Sequence, residues 1–375
     1  MIKFGAWSTL LGLGAAFGLT VATFLMRTTY NRVANRLLAG LIAVLVLKLM
    51  PYILGFAGFY DAFPWLSFAP FDLTLAVGPL RWLHVCQLTT GGLPQRAWRH
   101  LTPAALQAVY SLCVFSLPLA VKNLWNDSIH ARWIDPAETL LEALSLAIYV
   151  ALAWKRQRIW QAWLERHVSN REEFRLTWLR NVVWALLLMI GVWAPYEAVS
   201  LLAKLDYYQR FPLYVGLTVL IYYLGLEGWR HAETRYPIPQ AAPVEPETSL
   251  PALPVARDWS VDGRRWLQQL ADSQLWREPD LSLERLAREL GTNTNYLSRA
   301  LNDGLGVSFN DAVNRLRVQD MTTRLEDPSE TRDLLTLAMA AGFSSKTSFN
   351  RIFKTQTGQT PSQYRQGRLA TGSKS

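Results

Sequence analysis

Up to Trp229 the chain is a succession of apolar runs about twenty residues long, and beyond Pro237 it turns polar with a helical period. That switch excludes a single water-soluble globule, because ~20 apolar residues suffice to cross the ~30 Å hydrocarbon core of a bilayer as a helix. Seven such segments can be marked, at roughly 5–26, 37–57, 67–87, 104–124, 137–154, 181–202 and 212–229. The first is too long and too evenly apolar for a cleaved leader, and no small-residue cleavage site follows it, so it is expected to be a retained span. Both cysteines, Cys86 and Cys113, lie inside apolar runs. Neither a disulfide framework nor a zinc cluster can be built from them, and no metal or cofactor is expected.

Charge sets an orientation. The connections 27–36, 88–103 and 155–180 carry twelve Lys and Arg, whereas 58–66, 125–136 and 203–211 carry only Arg132, Lys204 and Arg210, with Lys3 making four on that side. Short basic loops stay in the cytoplasm. With an odd number of spans, the N-terminus is then outside and everything after Trp229 is cytoplasmic. Much of the formal charge of +9 is therefore a topology signal. Outer loops of about a dozen residues leave no room for an external domain, so a signal must enter the bundle, come through the lipid or come from a partner membrane protein.

Ionisable residues inside spans are costly and mark candidate sites. Lys48 precedes Pro51, Asp72 lies near the outer end of the third span, and Arg81 and His84 are three apart nearer its inner end. Glu138 and Glu142 share a face of the fifth span, and Glu197 follows Pro195 in the sixth. Lys48, Arg81, His84, Glu142 and Glu197 are the candidate ligand site of the bundle; the alternative is ion pairs that hold helices together, or end residues reaching the headgroups. Gly14 and Gly18 permit close helix approach, with packing inside the bundle the expected use. Lys155–Arg180 interleaves Trp160, Trp163, Leu164, Phe174 and Trp178 with basic residues and reads as an amphipathic stretch on the inner leaflet.

Six prolines fall between Tyr236 and Ala256. The twenty-one residues read as a semi-rigid tether of up to roughly 65 Å at ~3.1 Å per residue. Domains are thus expected at 1–235, 258–368 and a disordered tail 369–375, with the linker at 236–257.

After Asp258 no strand-like alternation appears. Ser282 opens a helix whose Leu283, Leu286, Ala287 and Leu290 recur at helical spacing, Gly291 ends it, and Asn293 caps a second helix packed through Tyr296, Leu297, Ala300 and Leu301. The pattern returns: Leu334, Leu337, Ala338 and Ala341, a Gly342-Phe343 turn, then Ser345 to Lys354 packed through Phe349, Ile352 and Phe353. A short helix, a glycine turn and a second helix make a helix-turn-helix, and a long helix from about Ser308 to Leu325 joins the two. Two reading helices on one connector fit successive major grooves of double-stranded DNA, ~34 Å apart. The expected fold is therefore all-α: a seven-helix transmembrane bundle plus a cytoplasmic domain of two helix-turn-helix units.

Residues 262–368 resemble the DNA-binding domain of the arabinose-regulator (AraC/XylS) family of bacterial transcription factors. The resemblance is carried by Leu334 to Arg365, almost throughout, and by Leu286-Ala-Arg-Glu-Leu-Gly with Asn295 to Asn302. The apolar part is similar, more loosely, to members in which a multi-span domain replaces the soluble sugar-binding one, and Gly78-Pro79-Leu80 suits that group. By position, the resemblance implies base-reading faces at Asn295, Ser298 and Arg299 and at Lys346, Thr347, Asn350 and Arg351. Arg pairs bidentately with guanine and Asn with adenine. Lys354 and Arg365 are expected on phosphates. From Arg257 onward there are 17 Lys and Arg against 14 Asp and Glu, but from Lys346 there are six basic residues and no acid.

The expected function is a one-component regulator of the bacterial inner membrane that senses a lipophilic molecule or a membrane-protein signal, reads DNA, and contacts RNA polymerase, with a homodimer as its working form. A constitutive DNA binder anchored by the spans is the alternative. An intramembrane enzyme is disfavoured because HExxH, GxSxG and paired intramembrane aspartates are all missing from the sequence.

Overall fold

A computed structural model describes residues 2–167, 177–203, 208–234, 236–239, 258–327 and 329–372. All regular structure among these residues is helical. The chain divides into two compact units, Met1–Arg158 with Leu176–Pro239, and Ile159–Arg175 with Gln240–Ser375. The Pro-rich stretch 240–257 and the middle of the amphipathic stretch, 168–176, lie outside the described residues.

The apolar half contains α1 (Ala6–Arg27), α2 (Arg32–Phe56), the one-turn α3 (Phe59–Ala62), α4 (Val77–Thr90), α5 (Thr102–Phe115), α6 (Leu119–Trp125), α7 (Asp135–His167), α8 (Thr177–Ala203) and α9 (Phe211–His231). Helix α1 packs on α2 and α9, and the two glycines explain how closely. A Cβ on Gly14 would lie 2.2 Å from Thr218 Cγ2, and one on Gly18 2.7 Å from Ile221 and 2.8 Å from Val46. Gly225 and Gly228 of α9 return the contact, against Phe17 and Leu38. The small-residue motif thus serves packing within the bundle.

Among the described residues, four helices are long and apolar enough to cross a membrane: Ala6–Arg27, Arg32–Phe56, Leu119–Leu164 and Phe211–His231. The expected count of seven is not reproduced. The third segment, 67–87, is helical only from Val77, after short turns. The fourth, 104–124, is interrupted at Ser116–Pro118, where proline disfavours helix in the residue before it. The apolar run 181–202 lies in α8, whose side chains are described only in part.

The connection expected at 125–136 is not a loop. Residues Asn126–Ile134 form a π-helix that joins α6 to α7, making 46 continuous helical residues from Leu119 to Leu164. Pro136 supplies no N–H and its ring crowds the carbonyl four residues earlier, and a widened turn just upstream relieves that clash. The polar run Asn126-Asp127-Ser128 reads as a loop but lies on this helix, with Asp127 and Ser128 exposed and Asn126 half-buried. The reversal between the fourth and fifth segments falls instead at Ser116–Pro118. Partners across the two helices descend as the chain ascends: His100 meets Tyr149, Gln107 meets Glu142 and Tyr110 meets His130.

The expected linker does not begin at Tyr236 in structural terms. Asn31 Nδ2 donates to the carbonyl of Thr234 at 2.7 Å, Asn35 Nδ2 donates to that of Ala232 at 3.0 Å, Tyr236 is buried and Ile238 packs against Gly91.

The second unit contains α10 (Trp259–Ser273), α11 (Leu283–Glu289), α12 (Thr294–Arg299, prolonged by a π-turn Ala300–Gly304), α13 (Phe309–Glu326), α14 (Leu334–Ala340), α15 (Lys346–Thr357) and α16 (Pro361–Gly372). Helix α16 is described to Gly372, and residues 373–375 of the expected tail lie outside the described residues. There are two cores. Leu283, Leu286, Leu297 and Leu301 pack with Trp266, Leu270 and Trp276 in the first; Leu337, Ala338, Phe343, Phe349 and Phe353 form the second. Helix α13 belongs to both: Phe309 and Val313 enter the first core, and Val318, Met321 and Leu325 the second.

Candidate nucleic-acid interface and the polar clusters of the apolar unit

The two helix-turn-helix units are built alike at atomic detail. In the first, Gly291 adopts φ +64, its N–H bonds the carbonyl of Arg288 at 3.1 Å, and the N–H of Thr292 bonds that of Ala287 at 2.9 Å. In the second, Gly342 adopts φ +90, with Gly342 N–H on Met339 at 3.0 Å and Phe343 N–H on Ala338 at 3.0 Å. Both are Schellman ends, which require a left-handed residue that glycine supplies without strain. The reading helices then start from side-chain caps: Asn293 Oδ1 accepts from Tyr296 N–H at 2.8 Å, and Ser345 Oγ from Ser348 N–H at 3.2 Å.

These caps fix which face of each reading helix turns outward. On α15, Lys346, Thr347, Asn350, Arg351 and Lys354 are all exposed, while Ser348, Phe349 and Phe353 are buried. The spacing 346, 347, 350, 351, 354 is one continuous helical stripe. On α12, Asn295 and Arg299 are exposed and Ser298 is half-buried. Ser298 Oγ accepts from Asn302 Nδ2 at 3.1 Å, and the Arg299 guanidinium lies 5.8 Å from the centre of the Trp259 ring. Both stripes thus offer guanidinium and amide groups to an outside partner, the chemistry that pairs with base edges and phosphates.

Arg365 is placed differently. Its Nη1 donates to the carbonyl of Arg332 at 2.8 Å and its Nη2 to that of Glu330 at 2.5 Å, and next to it Tyr364 donates to Glu326 Oε1 at 2.8 Å. Those bonds tie α16 to the loop before α14 and to the end of α13. Arg365, expected on a phosphate, thus also braces α16 within the domain.

A residue that the sequence reading passed over joins the two units. Arg317 of α13 is 1% exposed; its Nε donates to the carbonyl of Trp276 at 2.7 Å and its Nη2 to that of Glu278 at 2.7 Å. The guanidinium also lies 5.9 Å from the centre of the Phe343 ring, in the turn of the second unit. Burial pulls its pKa down to about 10, so it remains charged at neutral pH. Gly342 completes the junction, since a Cβ there would meet the Arg277 carbonyl oxygen at 2.6 Å. Arg277 and Arg324 both bond Asp320, each at 2.8 Å. The signal was available: Arg317 lies four residues from Val313 and four from Met321, both fully buried, on the apolar stripe of the connector.

Acidic groups at the start of the second unit are held ionised by their bonds. Glu330, bonded by the Arg332 side chain and N–H, is held down at about 2, and Asp333, which accepts from Thr336 and caps α14, is also held below its ordinary value.

The candidate residues of the apolar unit do not assemble into one site. Lys48 pairs with Asp72 and lies 3.7 Å from Glu142, whose Oε1 accepts from Gln107 Nε2 at 3.4 Å; the Trp193 ring centre is 5.5 Å from Lys48 Nζ. Arg81 and His84 form a second cluster. Arg81 Nη2 donates to the carbonyl of Leu179 at 2.6 Å, and His84 Nδ1 bonds that of Ala34 at 2.8 Å. The side chain of Glu197 lies outside the described residues. No group of His, Cys, Asp and Glu among the described residues could hold a metal ion.

With this geometry, the family described as a helix-turn-helix domain matches residues 286–367, and this C-terminal domain is an AraC-type helix-turn-helix domain. Over 91 residues the chain is 40% identical to an uncharacterized HTH-type transcriptional regulator of Staphylococcus aureus (strain COL), covering 24% of this chain and 12% of that protein. Over 102 residues it is 28% identical to the probable transcription factor PqrA of Proteus vulgaris, covering 27% of this chain and 79% of that protein. The chain thus spans about 12% of the length of the staphylococcal relatives it matches. No solved structure matches it.

Proposed function

We propose that the chain is a one-component transcriptional regulator embedded in the bacterial inner membrane, whose two reading helices recognise double-stranded DNA and whose apolar unit receives the signal. One observation carries it: two like-built helix-turn-helix units, sharing α13, present Arg299 and Arg351 outward on the same chain as four helices of membrane-spanning length. Asn295, Ser298, Lys346, Thr347 and Asn350 complete the base-reading faces and Lys354 contacts phosphate. The Lys- and Arg-rich connections, and with them the DNA-binding domain, lie in the cytoplasm. Partners are DNA, the lipid bilayer, RNA polymerase and a second copy of the chain. The names of the relatives, all regulators or transcription factors, support a non-enzymatic role.

The test is a binding-site selection and mobility-shift titration with the purified full chain. Arg351→Ala is expected to weaken specific binding by about 1–3 kcal/mol and relax one base preference. Lys354→Ala is expected to weaken binding to all sequences and flatten its salt dependence. Unchanged affinity and preference in Arg351→Ala remove α15 as a reading helix. DNA binding with no response of a reporter to any membrane perturbation leaves the spans as an anchor.

A further inference from the structure

We propose that Arg81 and His84 form a buried site for an oxyanion of the phosphate class, at the end of the apolar unit from which the chain leaves toward the DNA-binding domain. It deepens the functional reading above and rests on the apolar unit lying in a membrane.

Arg81 is 2% exposed and His84 3% exposed, adjacent on one face of α4. The Arg81 guanidinium has no carboxylate within ion-pair distance among the described residues, and its Nε has no hydrogen-bond partner. His84 Nδ1 donates to the Ala34 carbonyl, so its second ring nitrogen, Nε2, buried and without a partner, is an acceptor that fits a hydroxyl next to the oxyanion rather than the oxyanion itself. A buried guanidinium without a counter-charge is among the most expensive arrangements a protein can hold, and one carbonyl from Leu179 does not neutralise it. By contrast, Lys48 at the other polar cluster has two carboxylates within reach. One cluster is complete in itself; the other lacks an anion. A phosphate oxygen supplies the missing charge, and Arg matches oxyanion geometry with paired N–H groups.

The position favours a lipid phosphate as source. The first turns of α2 and α8 place Arg32, Arg36 and Arg180 exposed at this end, a basic collar at the depth where anionic headgroups lie. The same end holds the exit of the chain. His84 bonds the carbonyl of Ala34, and the next residue, Asn35, bonds that of Ala232 just past α9. The His84 ring meets the edge of Trp178 at 5.8 Å, and Trp178 stacks on His231 at 5.4 Å. An anion drawn to Arg81 therefore acts on side chains that hold residues 231–234, the first step of the path to the DNA-binding domain.

The experiment uses the full chain in detergent and in nanodiscs. Native mass spectrometry after delipidation and titration with phosphatidylglycerol or phosphatidylcholine is expected to show one retained phosphatidylglycerol, with retention falling at least tenfold in R81Q and unchanged in R132Q, an exposed arginine of the π-helix outside the collar. Equal retention by wild type and R81Q overturns the site. Inorganic phosphate is the second arm: a rise in melting temperature in wild type and none in R81Q upholds the site with a free anion as the source. If R81Q fails to fold, hydrogen exchange of wild-type 31–36, 77–90 and 231–239 decides; slower exchange with phosphatidylglycerol or phosphate supports the site, and no change with either overturns it. Vesicle flotation tests the membrane reading separately. A chain that does not float yet responds to phosphate through Arg81 loses the membrane reading and keeps the site.

Discussion

Removing Arg317 is expected to loosen the hold of one helix-turn-helix unit on the other. Its two bonds to the carbonyls of Trp276 and Glu278 are charge-assisted, worth ~1.5–3 kcal/mol each. Against them stands the burial that lowers its pKa to about 10, a penalty of ~3 kcal/mol on the charged form. Arg317→Met keeps the length and the contact with Phe343 and recovers that penalty, but strands two carbonyls; the net cost is ~1–2 kcal/mol. Arg317→Ala adds a cavity between the cores, for a total of ~3–5 kcal/mol. Hydrogen exchange in the intact protein reads this directly, because each ~1.4 kcal/mol is tenfold in an opening equilibrium. Amides at 276–283 and 337–343 are expected to lose roughly 100- to 3000-fold protection in Arg317→Ala, and about tenfold in Arg317→Met. Protection within threefold of wild type in Arg317→Ala refutes the junction.

The two turn glycines separate strain from contact. Gly291→Ala, at φ +64 with open space around it, is expected to cost ~1 kcal/mol, whereas Gly342→Ala also drives a Cβ into the Arg277 backbone and is expected to cost at least ~3 kcal/mol; equal melting shifts contradict this. Acid should weaken the second unit first. Glu330 titrates at about 2 against an ordinary 4.5, and Asp333 below 3.8, both through bonds made only in the fold. Their folded pKa values lie below the unfolded ones, so the stability they contribute is full above pH about 4.5 and is lost as pH falls toward 2. Glu330→Gln is expected to flatten that pH dependence in a thermal melt, and an unchanged slope contradicts the assignment.

The DNA-binding domain was legible because its signals are local. Glycine at each turn, capping Asn293 and Ser345 and the apolar spacing of 286–301 and 337–353 each act within one or two helical turns, and the structure places them as the pattern implies. Arg317 and Arg365 were not legible from charge. Whether a guanidinium faces water or a carbonyl depends on contacts 33 to 41 residues away in sequence. In the apolar unit, hydropathy marks where helices are affordable but not where they end. Polar Asn126–Ser128 reads as a loop and is helix, while Ser116–Pro118, inside an apolar run, is the break. The partition of polar residues was also hidden. Lys48 draws Asp72 and Glu142 together, and Arg81 is left apart from them with a carbonyl of α8.

The central claim is that one membrane-embedded chain reads DNA with both α12 and α15. Hydroxyl-radical and methylation footprinting of a selected site, bound by the full chain in nanodiscs, tests it most directly. Two protected major-groove patches on one face of the duplex are expected, centred ~10 base pairs apart. The patch assigned to α12 should be lost in Arg299→Ala and the other in Arg351→Ala. A single patch, or two that disappear together in either variant, contradicts a two-helix reading head.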